Sequence, residues 1–223
     1  MVDNLNLRLE LERALPALGL SLSDAQLGAL MEYLALIQKW TKVYNLTAVR
    51  DPAEMLTHHL LDSLAVINPL RQQLATLAPA EARRRLLDVG SGAGLPGIVI
   101  AICCPEIAVD CVDTVAKKAA FIQQVAATLK LPNLRGVHAR VENLTEKYDV
   151  VSSRAFASLV DFTNWSVNAL AEQGVWMAMK GKHPADEMVA LPPGVEVFHV
   201  EQLVVPGLDA ERCIVWMRQV GVA

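Results

Sequence analysis

Aromatic side chains make up only 5% of this 223-residue sequence, cysteine occurs four times, and the 20 Lys and Arg are outnumbered by 24 Asp and Glu. Each shortage excludes something. A formal net charge of −4 excludes a protein that grips nucleic acid by bulk positive charge, and leaves only a local basic patch open. Cys103 and Cys104 are adjacent, which argues against a pair of structural disulfides, and no C-x-x-C spacing supports zinc or another metal site. All four cysteines lie in apolar runs, so they are expected to be reduced core residues of a cytoplasmic protein. The longest uncharged apolar stretch, residues 97–105, is far short of the ~20 residues that cross a bilayer, so no membrane partner is expected. Residues 1–13 carry Asp3, Arg8, Glu10 and Arg13 and do not read as a signal peptide. The 12 glycines and 11 prolines follow no period, which excludes collagen-like and low-complexity chains.

What is present is a core. Hydrophobic residues reach 53%, mean hydropathy is positive and charged residues are 20%, the composition of a folded globular chain. Lys/Arg and Asp/Glu balance over residues 1–85, and the acidic excess falls in 86–223. Between them, residues 77–85 contain Pro79, Glu81 and Arg83-Arg84-Arg85 and read as a solvated connector. This predicts an N-terminal helical extension over 1–80, packed on a second unit over 81–223.

The first part is helical in pattern. Leu27, Leu30, Met31, Leu34 and Ile37 form one apolar face, and Ser23 with Gln26 spells a capping box at its start. A second helix is expected over 53–68, stopped by Pro69. The second part alternates. Strands are expected at 85–89, 108–112, 134–138, 148–152 and 174–179, with helices at 97–104, 116–129 and 159–170. That order predicts an α/β protein whose parallel sheet is covered on both faces. Strands at 195–200 and 213–218 have no helix between them, so they should form a hairpin that adds an antiparallel strand.

Chemistry concentrates in Leu86-Leu87-Asp88-Val89-Gly90-Ser91-Gly92-Ala93-Gly94-Leu95-Pro96-Gly97, a strand that runs into a glycine-rich turn and then a helix. Asp113 ends the next strand, placed to accept hydrogen bonds from ribose hydroxyls. The spacing is G-x-G-x-G, and Asp88 stands two residues before the first glycine. A carboxylate there disfavours the pyrophosphate of a dinucleotide and suits the ammonium of S-adenosylmethionine. Asp88, Gly90, Gly92, Gly94 and Asp113 are therefore candidate cofactor residues.

Four further segments narrow the reading: W-T-K-V-Y-N-L-T-A-V-R-D at 40–51, H-H-L-L-D-S at 58–63, S-R-A-F-A at 153–157 and M-K-G at 179–181. With D-V-G-S-G-A-G-L-P-G at 88–97, the chain resembles the glucose-inhibited-division B (RsmG) family of bacterial small-subunit ribosomal RNA guanine-N7 methyltransferases. The resemblance implies a Rossmann-like S-adenosylmethionine-dependent methyltransferase fold, a mostly parallel seven-stranded sheet with an antiparallel C-terminal strand. It implies methyl transfer to N7 of guanosine 527 in the 530 loop of 16S ribosomal RNA, free or in the small subunit, by a monomer. It assigns cofactor contact to Gly90, Leu95, Val141, Glu142 and Arg154.

Guanine N7 has a lone pair and no proton to lose, so no general base is needed, and positioning is the task. His58 and His59, on the second helix, are expected to lie outside the cofactor unit. Arg154 follows the fourth strand and Lys180 the fifth, and both are candidate positioning groups. Arg154 could instead be a structural ion pair, and Lys180 a solvated strand end. Candidate RNA contacts are Lys39, Lys42, Arg50, Arg83, Arg84, Arg85, Lys180 and Lys182, with Trp40, Tyr44 and Phe156 available for base stacking. Two other functions stay open: a methyltransferase for a small molecule, and a non-catalytic ribosome assembly factor.

Overall fold

The computed structural model describes residues 4–77 and 83–221. The expected division at residue 80 falls on 78–82, outside the described residues. Four helical segments come first: α1 (Asn4–Ala14), α2 (Asp24–Tyr44), α3 (52–64) and α4 (Ile67–Thr76). An alternating series follows. It comprises β1 (Arg85–Val89), α5 (Gly97–Cys103), β2 (Ala108–Asp113), α6 (Ala116–Thr128), β3 (Leu134–His138), β4 (Tyr148–Arg154), α7 (Leu159–Ser166), β5 (Leu170–Lys180), α8 (Ala185–Val189), β6 (Val195–Leu203) and β7 (Arg212–Gln219).

One seven-stranded sheet runs in the order β3-β2-β1-β4-β5-β7-β6. β1 to β5 pair in parallel, and β7 lies antiparallel to both β5 and β6, as the expected terminal hairpin requires. The chain works outward from β1 to β3, then returns to set β4 on the other side of β1. That reversal opens a crevice at the carboxyl ends of β1 and β4.

Alternation along β1 sorts its side chains between two cores. Leu86 joins the cluster beneath α5, while Leu87 and Val89 join the one beneath α7. α5 is apolar on every face, and all its residues from Gly97 to Cys103 are buried. Its outer side is covered by α2, and Leu30, Tyr33, Leu34 and Ile37 of α2 belong to the same apolar cluster as Ile98 to Cys104. Gln26 ties the two together. It completes the capping box with Ser23 and also donates from Nε2 to the carbonyls of Ile102 and Cys103 at 3.2 and 3.3 Å, satisfying the C-terminal end of α5.

Several boundaries differ from expectation. Pro69 does not stop a helix; it occupies the first turn of α4, where a missing N–H costs nothing, and the chain breaks at Ala65 and Val66 instead. Within α3, residues Leu56–Leu61 form a π-helical turn that no sequence pattern announced. The helix expected over 159–170 is α-helical only to Ser166; a 3-10 turn, Val167–Ala169, leads straight into β5. All four cysteines are buried and free.

Candidate active site

The glycine turn after β1 is held from three sides. Gly90, Gly92 and Gly94 have φ of +64°, +59° and +86°, conformations that side chains resist. Beneath the turn lies Asp88, fully buried. Its Oδ2 accepts from Gly97 N–H at 3.0 Å and its Oδ1 from Ser152 Oγ at 3.1 Å. Gly97 leaves the room for this: a Cβ there would lie 2.4 Å from Cys111 Sγ and 2.9 Å from Asp88 Oδ2. From above, the buried hydroxyl of Tyr33 on α2 donates to Ala93 O at 2.7 Å. At the side, Asp113 accepts from Gly92 N–H at 3.1 Å and from Val115 N–H at 2.8 Å, with Lys118 Nζ 3.5 Å away.

Asp88 therefore braces the turn. It lines neither of the cavities below, so it offers no surface to an ammonium group. Burial drives its carboxyl up to about 7, against the opposing pull of its Gly97 and Ser152 hydrogen bonds and of Arg154.

Two cavities flank the turn and share Gly90 and Ala155 as a wall. One, of about 460 Å³, lies over the ends of β1 and β2. Val89, Asp113, Val141, Glu142, Phe156 and Trp165 line it. The Phe156 ring rests against Gly90, where a Cβ would stand 2.3 Å from it, and meets Trp165 edge-on at 5.7 Å between centroids.

The other cavity, of about 400 Å³, is bounded by Gly92, Leu95, Arg154 and Lys180 from the sheet side and by Thr47, His58, His59 and Asp62 from the helices. The two histidines thus stand inside the site. The π turn of α3 sets them there. His58 O accepts from Arg154 Nη1 at 2.9 Å, and His59 Nε2 pairs with Thr47 Oγ1 at 2.9 Å. Burial, and then Arg154, push the His59 ring down to about 4, which leaves it neutral near pH 7 and a weak base. Gly94 faces away from both cavities, against Ile98.

Arg154 lines the cavity and is also ion-paired, with its Nη1 2.9 Å from Asp62 Oδ2. Lys180 is paired with Glu187 at 2.8 Å and donates to Ala157 O at 3.1 Å. Asp62 and Arg212 are site residues that sequence reasoning missed. Asp62 sat inside the H-H-L-L-D-S segment, but nothing near Arg212 marked it.

The basic candidates separate. Arg83, Arg84 and Arg85 sit at the amino end of β1, the opposite edge of the sheet from the glycine turn. There Arg83 bonds Glu106 O, Arg84 pairs with Asp149 at 2.7 Å, and Arg85 pairs with Asp110 at 3.3 Å and covers the Tyr148 ring. Arg50 caps α2, donating to Thr41 O and Asn45 Oδ1. Lys39, Lys42 and Lys182 are exposed. The Trp40 and Tyr44 rings meet on α2 with centroids 5.1 Å apart, tilted by 37°, and Tyr44 is 41% exposed.

The residues present fit S-adenosylmethionine. Ser91 Oγ is buried, unpartnered and in the wall of the 400 Å³ cavity. A Cβ on Gly92 would meet only Gly90 O, at 3.9 Å, so the absent side chain leaves space for a ligand. Asp113 keeps lone pairs on both oxygens for ribose hydroxyls.

Solved structures show where the fold belongs. The chain superposes on TrmN from Thermus thermophilus with a TM-score of 0.56, covering 74% of this chain and 53% of that one at 17% identity. A SAM-dependent methyltransferase from Aquifex aeolicus gives 0.54, with 79% and 97% coverage at 13% identity. Relatives by sequence are much nearer. The protein called ribosomal RNA small subunit methyltransferase G in Polaromonas sp. (strain JS666 / ATCC BAA-500) is 70% identical, over 94% of this chain and 92% of that one. Its namesake in Albidiferax ferrireducens is 71% identical, over 94% and 98%. The sequence profile of that family matches residues 26–215, which run from the first turn of α2 into β7, so the chain belongs to the GidB family, rRNA small subunit methyltransferase G.

Proposed function

We propose that this protein transfers the methyl group of S-adenosylmethionine to N7 of guanosine 527 in the 530 loop of 16S ribosomal RNA, acting as a cytoplasmic monomer on the small ribosomal subunit. One observation carries the reading within a family of ribosomal RNA methyltransferases: two cavities that share a wall at Gly90 and Ala155, one ending on an acid suited to ribose and the other lined by arginines. S-adenosylmethionine supplies an activated methyl group on a sulfonium.

The chain supplies position. Gly92 lets a ligand approach the turn, Gly90 and Leu95 line its place, Asp113 accepts from ribose hydroxyls, and Val141, Glu142, Phe156 and Trp165 close around a flat ring. Asp88 and Gly94 serve the same site from behind, by shaping the turn. Arg154 directs N–H groups into the second cavity, where acceptors such as guanine O6 or a phosphate can meet them. No side chain there is asked to take a proton, and His59, neutral and hydrogen-bonded to Thr47, suits a cavity that needs no base. Lys39 and Lys42, with Tyr44 on the same helix, and Lys182 after β5 offer the RNA exposed charge and a stacking surface. Arg83, Arg84 and Arg85 serve the sheet edge instead.

The test is transfer of labelled methyl to small subunits from cells lacking this gene, with the modified nucleoside mapped. Label on N7 of guanosine 527 is the expected result. Label elsewhere, or none on subunits and free RNA with cofactor binding intact, would shift the reading to a small-molecule enzyme or an assembly factor.

A further inference from the structure

Asp62 is the most buried charged group in the cavity wall, with its side chain 3% exposed. It comes from α3, and its two carboxylate oxygens are divided between two arginines far away in sequence. Oδ2 takes Arg154 Nη1 at 2.9 Å, and Oδ1 takes Arg212 Nε at 2.8 Å. Both arginines line the same cavity and remain about one-fifth exposed, at 20% and 23%. Two guanidiniums against one carboxylate leave a net positive charge at the wall.

The donor inventory shows where that charge faces. Each arginine has five N–H groups. Arg154 spends both protons of Nη1, on Asp62 and His58 O. Arg212 spends Nε on Asp62 and one proton of Nη1 on Glu211 O. Nη2 of both residues has no partner among the described residues. Arg154 has a second anchor of its own in α3, the His58 carbonyl. Arg212 has only Asp62 and the carbonyl of its own neighbour, so its direction depends on the carboxylate.

We infer that Asp62 is a positioning residue: by gripping Arg212 at Nε it turns the free guanidinium edge into the cavity, where it binds a phosphate of the RNA substrate. The inference rests on the RNA reading above and deepens it. A phosphate is the ligand that two parallel N–H groups and a net positive wall fit best. Without the carboxylate the two guanidiniums repel, and Arg212, on the first residue of β7, is free to swing out to solvent.

The test is a double-mutant cycle between Asp62→Asn and Arg212→Gln, with small subunits lacking the methyl group as the probe. Three quantities are read: the salt dependence of subunit binding by filter retention, KM and kcat for the subunit, and cofactor Kd by calorimetry. Each single variant is expected to lower the slope of log K against log salt by about 0.7, the loss of one phosphate contact on single-stranded RNA. Each should raise KM for the subunit about tenfold, with cofactor Kd changed less than threefold. The double variant should be no worse than Arg212→Gln alone. Losses that multiply, or an Asp62→Asn protein that melts lower with slope and KM unchanged, would overturn the inference. Should Asp62→Asn fail to fold, Arg212→Lys decides. It keeps the charge and loses the Nε grip, so a raised KM supports the inference and wild-type kinetics refute it. A wild-type protein that neither binds nor methylates subunits would bring down the substrate reading itself, and this inference with it.

Discussion

Asp88, beneath the glycine turn, and His59, in the cavity wall on α3, are both buried and are pushed in opposite senses. The Asp88 carboxyl titrates near 7 in the fold, above its ordinary value, so folding favours its protonated form. That stabilisation is complete below about pH 4 and is lost as pH rises through 7. The His59 ring titrates near 4, below its ordinary value, so folding favours the neutral ring. That contribution is complete above about 6.5 and is lost as pH falls through 4. Asp88→Asn removes the first effect and keeps the geometry, because an amide can still accept from Gly97 N–H and pair with Ser152. The melting temperature of the variant relative to wild type is expected to rise between pH 5 and 8. A difference that is flat with pH would place the charge outside the fold's energetics. Gly92→Asp acts differently. Its side chain would enter open space beside Asp113, fill the ligand's place and add a second carboxylate. Calorimetry should show cofactor affinity lost with the thermal transition retained, and unchanged affinity would move the ligand away from the turn. Both the turn and its acid were legible from residues alone, because glycine spacing and a strand-ending acid are local features. The burial of Asp88 was not, since depth depends on what packs above a strand.

Among the elements, α2 shows how local and distant forces combine. Its apolar stripe and its Ser23 capping box could be read directly, and both are present. What Gln26 does with its amide could not. Its Nε2 reaches carbonyls 76 and 77 residues away, at the end of α5. Ser23→Ala should cost about 1 kcal/mol, the ordinary value of a cap. Gln26→Ala should cost more, since it also orphans the Ile102 carbonyl, whereas Cys103 O keeps the Arg71 Nη2 donor at 2.9 Å. Urea unfolding of the two variants measures this directly, and equal losses would show the Ile102 carbonyl to be satisfied without Gln26. Pro69 teaches the complementary lesson. A proline stops a helix or starts one, and only the packing of Ile67 and Leu70 into the core selects the start.

The molecule as a whole is joined by one apolar cluster that includes Leu7 and Leu11 of α1, Leu30 to Ile37 of α2, α5, and Trp216 of β7. Charge pairs follow the same route, for Asp62 of α3 meets Arg154 of β4 and Arg212 of β7. Removing residues 1–77 would bare the fully apolar face of α5, withdraw Tyr33 from the glycine turn and leave both arginines without their carboxylate. The remainder is expected to lose its cooperative thermal transition and to aggregate. A soluble fragment that melts cooperatively and binds cofactor would show that the sheet and its own helices stand alone.

The sequence by itself determined the parallel sheet with its terminal hairpin, the glycine turn with its acid, the reduced cysteines and the family. These follow from periodicity, turn chemistry and residue type, which act over a few neighbouring residues. Tertiary structure alone decided that His58, His59 and Asp62 face the glycine turn, that Arg212 joins Arg154 on one carboxylate, and that Arg83 to Arg85 turn to Glu106, Asp149 and Asp110. Ion pairs and cavities are set by which buried surfaces meet, and residues 92 and 150 positions apart have no local interaction that could announce their meeting.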